Sequence, residues 1–340
     1  VVWIPRHGSR RITYPELCVR HTRSSRIRQA AGRQWGNSLP LVQPPPNLIL
    51  KQEFPVLVTG AQGLLGSAVT SELRSRSVKT TSWTRADADL SNTTDLTTAL
   101  EGTNWAAIVH CAAWTNVDSA EDSAETCRII NVESTRALAI KAAEMKVPFV
   151  YVSSGGVFDG CKRDAYDEKD EPAPLNVYHR SKYEGERTAA DAHPSPLITR
   201  VGWLYGGGPQ QPKNFVAARL RQAEGEVMIQ ASQQQSGSPT WVCDAARSIV
   251  DLLDAGRTGL CHVANEGCAT RFDYVTAILQ FAGSSTRVEP APPGSFRRKA
   301  HVPANESLTS IQLPAWGISP LRPWRDALRE YLNETETGLL

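Results

Sequence analysis

Tyr178 and Lys182, in the run Tyr178-His179-Arg180-Ser181-Lys182, have types and a spacing that suit proton transfer to a carbonyl. On a helix, residues four apart share a face, so the phenol and the ammonium point the same way. An isolated tyrosine, with a pKa of about 10, is a poor acid–base catalyst near neutral pH. A neighbouring cation lowers that value, and a phenol so tuned can hand a proton to an oxygen as hydride reaches the adjoining carbon. The spacing itself is common and gains meaning only from what precedes it.

What precedes it is Thr59-Gly60-Ala61-Gln62-Gly63-Leu64-Leu65-Gly66, with glycines in a GxxGxxG spacing. The first glycine allows a tight turn and the second lets the backbone approach a pyrophosphate. The third lets a helix pack closely on a strand, with phosphates at the helix N-terminus, where N–H groups and dipole favour an anion. The required context is present: the apolar run Pro55–Thr59 comes before the glycines and a helical pattern over 64–75 follows. This predicts a nicotinamide dinucleotide cofactor, NADPH or NADH. After the next strand comes Thr84-Arg85-Ala86-Asp87-Ala88-Asp89-Leu90, with no acid at the strand end to take a ribose 2′-hydroxyl. Arg85 suits the 2′-phosphate of NADPH, or is an ordinary solvated arginine.

The elements that must position these groups alternate. Strands are predicted at Pro55–Thr59, Val78–Trp83, Ala106–His110, Val147–Ser153 and Pro196–Val201, with helices over 64–75, 93–100 and 123–145 and a further one around Tyr178. Repeated β-α units imply a doubly wound parallel sheet covered on both faces. Beyond Trp203 the order loosens, with helices near 213–224, 240–255, 270–282 and 321–332 and a short strand at 259–264, as expected of a smaller mixed α/β lobe. The expected division is a basic extension over 1–52, a nucleotide-binding domain over 53–203 and a substrate-binding lobe over 204–335.

Composition narrows the function. Residues 1–50 hold eight arginines against the single acid Glu16, a charge of +7, and the whole chain carries +2, so the remainder is acidic at −5. The basicity belongs to the N-terminal stretch, which argues against a nucleic-acid-binding face on the main domain. Two of the long runs free of charged residues, 102–117 and 227–243, are broken by Asn, His, Gln and Ser, and neither approaches the roughly 20 apolar residues of a membrane span. Seven cysteines, at 18, 111, 127, 161, 243, 261 and 268, follow no zinc or redox spacing. They point to plain thiols in a reducing compartment, and no metal site is expected.

From about 54 to 332 the chain resembles the extended short-chain dehydrogenases/reductases of Rossmann fold, specifically the dTDP-4-dehydrorhamnose reductase family. The resemblance is carried by the glycine turn, Tyr178 with Lys182, Cys111-Ala112-Ala113-Trp114-Thr115-Asn116, Asn131-Val132, Val152-Ser153-Ser154 and Val157-Phe158-Asp159-Gly160. Arg200-Val201-Gly202-Trp203, Asn214-Phe215-Val216, Gly237-Ser238-Pro239-Thr240 and Pro323-Trp324-Arg325 continue it in the family's order. It implies NAD(P)H-dependent reduction of a nucleotide-activated 4-keto-6-deoxy sugar, dTDP-4-dehydro-L-rhamnose to dTDP-L-rhamnose, in the cytoplasm, for cell-surface polysaccharide. It also suggests a homodimer without nucleic-acid or membrane partners.

By the same resemblance Tyr178 donates a proton to the sugar C4 oxygen, Lys182 holds the nicotinamide ribose and lowers the tyrosine pKa, and Ser154 hydrogen-bonds the reacting oxygen. Gly60, Gly63, Leu64, Leu65, Gly66, Arg85, Asp89, Leu90, Ala112, Ala113 and Trp114 line the cofactor. Thr115, Ser154, Gly155, Tyr178 and Trp203 face the substrate, Trp203 as a wall of the sugar-nucleotide site or as a core side chain. A regulatory subunit resembling the methionine adenosyltransferase β subunit, or a nucleotide-sugar epimerase, shares parts of the pattern. Retention of Ser154, Tyr178 and Lys182 favours the enzyme, and the stretch from Trp203 to Thr240 the reductase. One departure stands out: after Ser154 the family has Asp-Tyr, where this chain has Gly155-Gly156. Two missing side chains beside the sugar predict a wider, less polar pocket.

Overall fold

In the computed structural model, residues 53–336 are described; the extension expected over 1–52 lies outside them. Six strands form one sheet: β1 (Val56–Thr59), β2 (Thr80–Trp83), β3 (Ala107–His110), β4 (Phe149–Ser154), β5 (Leu197–Val201) and β6 (Gly259–Val263). Their order is β6-β5-β4-β3-β1-β2 and every pairing is parallel. The helices α1 (Leu64–Ser75), α2 (Thr93–Leu100), α3 (Ser134–Met145), α4 (Val177–Ala192) and α6 (Val242–Asp254) flank it, while α5 (Phe215–Ala223), α7 (Arg271–Phe281) and α8 (Trp324–Glu336) pack on the smaller lobe.

The two-face burial follows from the period of a strand. In β1, Val56 and Val58 enter one core with Leu65, Val69 and Leu73 of α1 and Ile249 of α6. Leu57 points the other way, into a core with Leu96 of α2, Leu138 of α3 and Ile108 of β3. A strand buried on both faces reads as a continuous apolar run, which is how β1 and β3 read in the sequence.

Two features of the later chain differ from expectation. The division at 203/204 is crossed, because β6 and α6 come from the stretch assigned to the second lobe yet complete the sheet and its cover, β6 against β5 and α6 against α1. The helix expected over 321–332 begins at Trp324, and Leu321–Pro323 is a strand paired with Asn265–Glu266. The smaller lobe is mixed. Trp203–Tyr205 pairs in parallel with Pro239–Trp241, and Met228–Ala231 with Arg287–Pro290. Ser236–Gly237 lies antiparallel to Ala269–Thr270 and parallel to Asn305–Glu306. The long helix expected over 123–145 is Ala124–Arg128 and α3 joined by a π turn, Ile129–Glu133. Among the described residues no helix is long and apolar enough to cross a membrane. Cys111, Cys127, Cys243, Cys261 and Cys268 are free thiols.

Candidate active site

The strand order reverses beside β1, with β2 on one side and β3 to β6 on the other. In open parallel sheets ligands bind at the carboxyl ends of the strands at such a reversal. The glycine turn stands there. Gly60 has φ +68°, and a Cβ on it would lie 2.8 Å from the backbone of Ala112. A Cβ on Gly66 would lie 2.2 Å from the carbonyl oxygen of Gly60. Gly63 caps α1 without a side-chain hydrogen bond, and the first turn holds no acid. The result is a cradle of backbone with free N–H groups, which fits a dinucleotide diphosphate. Leu65 is buried in the core and Leu64 packs on it, so the cradle is formed by their backbone.

Beyond β2, two aspartates shape the loop. The Asp87 carboxylate accepts from the Thr84 N–H and hydroxyl, both at 2.7 Å. The Asp89 carboxylate accepts from the Ser91 N–H at 2.9 Å and its hydroxyl at 2.7 Å. These bonds hold the Asp89 carboxyl below its usual range, the Ser91 N–H contributing most. Asp89 is therefore committed to its own turn. Arg85 is left exposed and Leu90 packs on the second core.

The loop after β3 closes the other side. Thr59 Oγ1 sits 2.7 Å from His110 Nδ1 and accepts from the Ala112 N–H at 3.2 Å. Trp114 N–H donates to the Asn131 side chain at 2.8 Å. Ala112, Ala113 and Trp114 are half-buried, whereas Thr115 is exposed and accepts from Lys213.

Tyr178 and Lys182 lie one turn apart on α4. Asn176 caps that helix, accepting from the His179 N–H at 2.9 Å. The buried face of α4 breaks the rule for a packed helix, since it carries His179, Lys182 and Glu186. Buried charges must be paired, and Glu186 is: it accepts two hydrogen bonds from Arg200, at 2.9 and 2.7 Å, and one from Ser153 at 2.5 Å. The Lys182 ammonium lies over the ring of Tyr151, 4.1 Å from its centroid. Desolvation pulls its pKa down to about 7 against the attraction of Glu186. Burial, with the carboxylate of Glu306 behind it, holds the half-buried Tyr178 phenol above its ordinary value. Tyr178 is thus protonated at neutral pH, the state a proton donor needs.

Ser154 ends β4, and its hydroxyl accepts from the Gly156 N–H at 3.2 Å. The open space expected at Gly155 and Gly156 is not there. A Cβ on Gly155 would meet the Glu306 carbonyl oxygen at 2.9 Å and the Leu308 side chain at 3.1 Å. A Cβ on Gly156 would fall 2.0 Å from Nε2 of His179. Both positions are filled by neighbours, so the expectation of a pocket widened at these glycines is corrected.

Trp203 is half-buried at the start of the second lobe; its indole N–H donates to Glu306 at 2.9 Å, and the Arg271 guanidinium lies 3.4 Å from its ring centroid. Burial lowers the Arg271 pKa to about 10 against the pull of Glu306. Arg271 and the roles of His179 and Glu186 were missed in the sequence, although His179 stands inside the Tyr178–Lys182 run. Among the described residues no group of three or more His, Cys, Asp or Glu is arranged to hold a metal.

The RmlD substrate binding domain family matches residues 54–337. The chain is 33% identical over 279 residues to a dTDP-4-dehydrorhamnose reductase of Mycobacterium tuberculosis, covering 80% of this chain and 90% of that one. It is 31% identical over 279 residues to a dTDP-4-keto-6-deoxy-D-glucose reductase of Streptomyces niveus, covering 81% and 95%. The crystal structure of a dTDP-4-dehydrorhamnose reductase from Bacillus anthracis in complex with NADP superposes with a TM-score of 0.79 at 30% identity, over 84% of this chain and 100% of that one. The cradle, the helix of Tyr178 and Lys182 and the comparisons agree: the chain belongs to the dTDP-4-dehydrorhamnose reductase family, NAD(P)H-dependent oxidoreductases of Rossmann fold.

Proposed function

We propose that this protein reduces the 4-keto group of dTDP-4-dehydro-L-rhamnose to give dTDP-L-rhamnose. The observation that carries the reading is Tyr178 one turn from Lys182 on α4, against a sheet whose strand-order reversal holds the glycine cradle. The relatives' activity supports the substrate, since two that match over 90% or more of their length are reductases of dTDP-linked keto sugars. Bound NADPH or NADH supplies the hydride that reaches the sugar carbon. Gly60, Gly63 and Gly66 would hold the diphosphate on the N-terminus of α1, with the loop Ala112–Trp114 opposite. Tyr178 donates its phenolic proton to the C4 oxygen, and general-acid help of this kind is worth about 10²–10⁴-fold. Lys182 holds the ribose and supplies the positive charge that makes the phenol a better acid once it is protonated. Ser154 offers a hydroxyl to the same oxygen, and Trp203 walls the sugar nucleotide.

We assign NADPH as the preferred cofactor. Arg85 is exposed beside the cradle while Asp89 is tied up by Ser91, and a relative binds NADP. A homodimer in the cytoplasm, without nucleic-acid partners, completes the reading. The test is consumption of NADPH and of NADH with dTDP-4-dehydrorhamnose and other nucleotide 4-keto sugars, with the product identified. No turnover with any of them would sink it.

A further inference from the structure

His179 is 4% exposed, next in sequence to Tyr178, with the two ring centroids 5.0 Å apart. Its Nδ1 lies 2.9 Å from the Asn176 side-chain nitrogen. That amide is fixed by its other bonds: its oxygen accepts from the His179 N–H and its nitrogen donates to the carbonyl of His301, each at 2.9 Å. An amide nitrogen can only donate, so Nδ1 accepts and the ring proton of the neutral imidazole sits on Nε2. Burial lowers the pKa of His179 and Arg298 adds to that, against the attraction of Glu306, so the ring is neutral near pH 7. Nε2 stands where a side chain on Gly156 would begin, two residues beyond the hydroxyl-bearing Ser154. The ring therefore occupies the volume left by the missing side chain, beside Tyr178, and Nε2–H is the one side-chain donor its tautomer leaves.

We propose that His179 is a specificity-determining residue whose Nε2–H donates a hydrogen bond to a hydroxyl of the sugar ring, in place of a side chain at position 156. The proposal rests on the reductase reading above. A site built to bond a hydroxyl discriminates strongly against an analogue lacking it, because the buried donor is then left unpaired.

The test compares wild type, His179→Phe, which keeps ring bulk without the donor, and His179→Gln, which keeps a donor. Each is assayed with NADPH on dTDP-4-dehydrorhamnose and on its 2-deoxy and 3-deoxy analogues, with NADPH affinity measured separately. The expected result is a roughly 10- to 100-fold fall in kcat/KM for the Phe variant on the parent sugar, mostly in KM. On the analogue lacking the bonded hydroxyl the fall should be small, and the Gln variant should recover part of the parent activity. NADPH affinity should be unchanged in all three. Equal losses on all sugars, or none, overturn the role of His179 while the reductase reading stands. A Phe variant that does not fold leaves the decision to the Gln variant, whose loss of discrimination on all three sugars would overturn it. A wild type that turns over none of the sugars overturns the reductase reading instead.

Discussion

The Asn131 side-chain nitrogen donates to the Ser181 hydroxyl at 2.8 Å, across fifty residues of sequence. Ser181 in turn donates to the carbonyl of Tyr178 at 2.7 Å, and the Asn131 oxygen holds the Trp114 N–H. One buried amide in a π turn, an insertion often found at functional sites, thus joins the loop after β3 to the helix that carries Tyr178 and Lys182. Replacing Asn131 by Leu leaves Trp114 N–H and Ser181 without their partner, at a cost of about 1–3 kcal/mol for an unsatisfied buried group. The melting temperature should fall and kcat should fall with it. An unchanged melting temperature with full activity would mean that the loop and α4 are held independently.

Tyr178→Phe removes one oxygen and leaves the ring. The expected loss in kcat is about 10²–10⁴-fold, with NADPH affinity close to wild type by calorimetry. Wild-type turnover would assign the proton to another group, with Ser154 the first to examine.

The pKa of Lys182 gives a pH signature. In the folded cofactor-free protein it is pulled down to about 7 from 10.5 by desolvation. Between those values the unfolded chain binds more protons at this group than the folded one, so stability rises with pH across that window. Below about pH 7 both states are protonated and the cost of burying the charge is present in full. In Lys182→Met this contribution vanishes: the variant should be more stable than wild type near and below neutral pH, and the difference should shrink as pH approaches 10. Parallel denaturation curves for the two proteins across that range would contradict it.

Gly66→Ala tests the cradle. The new Cβ would fall 2.2 Å from the carbonyl oxygen of Gly60, a backbone atom that cannot step aside without moving the turn. Overpacking of this kind costs about 1–3 kcal/mol. Dinucleotide affinity should fall along with the melting temperature. Unaltered NADPH binding would place the diphosphate elsewhere.

Arg85→Ala separates the cofactors. If the guanidinium meets a 2′-phosphate, NADPH affinity falls while NADH affinity holds, and the wild-type preference weakens with salt because the group is exposed. Equal effects on both cofactors would remove the case for NADPH.

The readable parts of this fold were those whose physics is local. β1 and β3 are apolar because both faces are covered, and Gly60, Gly63 and Gly66 are glycines because backbone crowds each of them. Tyr178 and Lys182 are one turn apart whatever surrounds the helix. The rest depends on pairs far apart in sequence. That Gly155 is crowded by Glu306 and Leu308, and that Trp203 reaches Glu306, follows from a lobe that folds back across more than a hundred residues. The filled space at Gly156 had a nearer signal, a histidine directly after the tyrosine. Its meaning required knowing that the loop after β4 packs on α4.

The return of the chain as β6 decides how the molecule can be taken apart. Gly259–Val263 pairs residue for residue with Leu197–Val201, although the intervening chain builds much of the other lobe. A backbone cut in the segment after Gly207 would therefore not yield a nucleotide-binding half and a sugar-binding half that survive alone. The first fragment would expose an unpaired, apolar edge at β5, and the second would carry the strand that fits it along with α6, whose Val242, Ala245 and Ile249 share a core with Val201 and Tyr205. Such fragments complement one another as a split enzyme does, and the edge at β5 is where an incompletely made chain would aggregate.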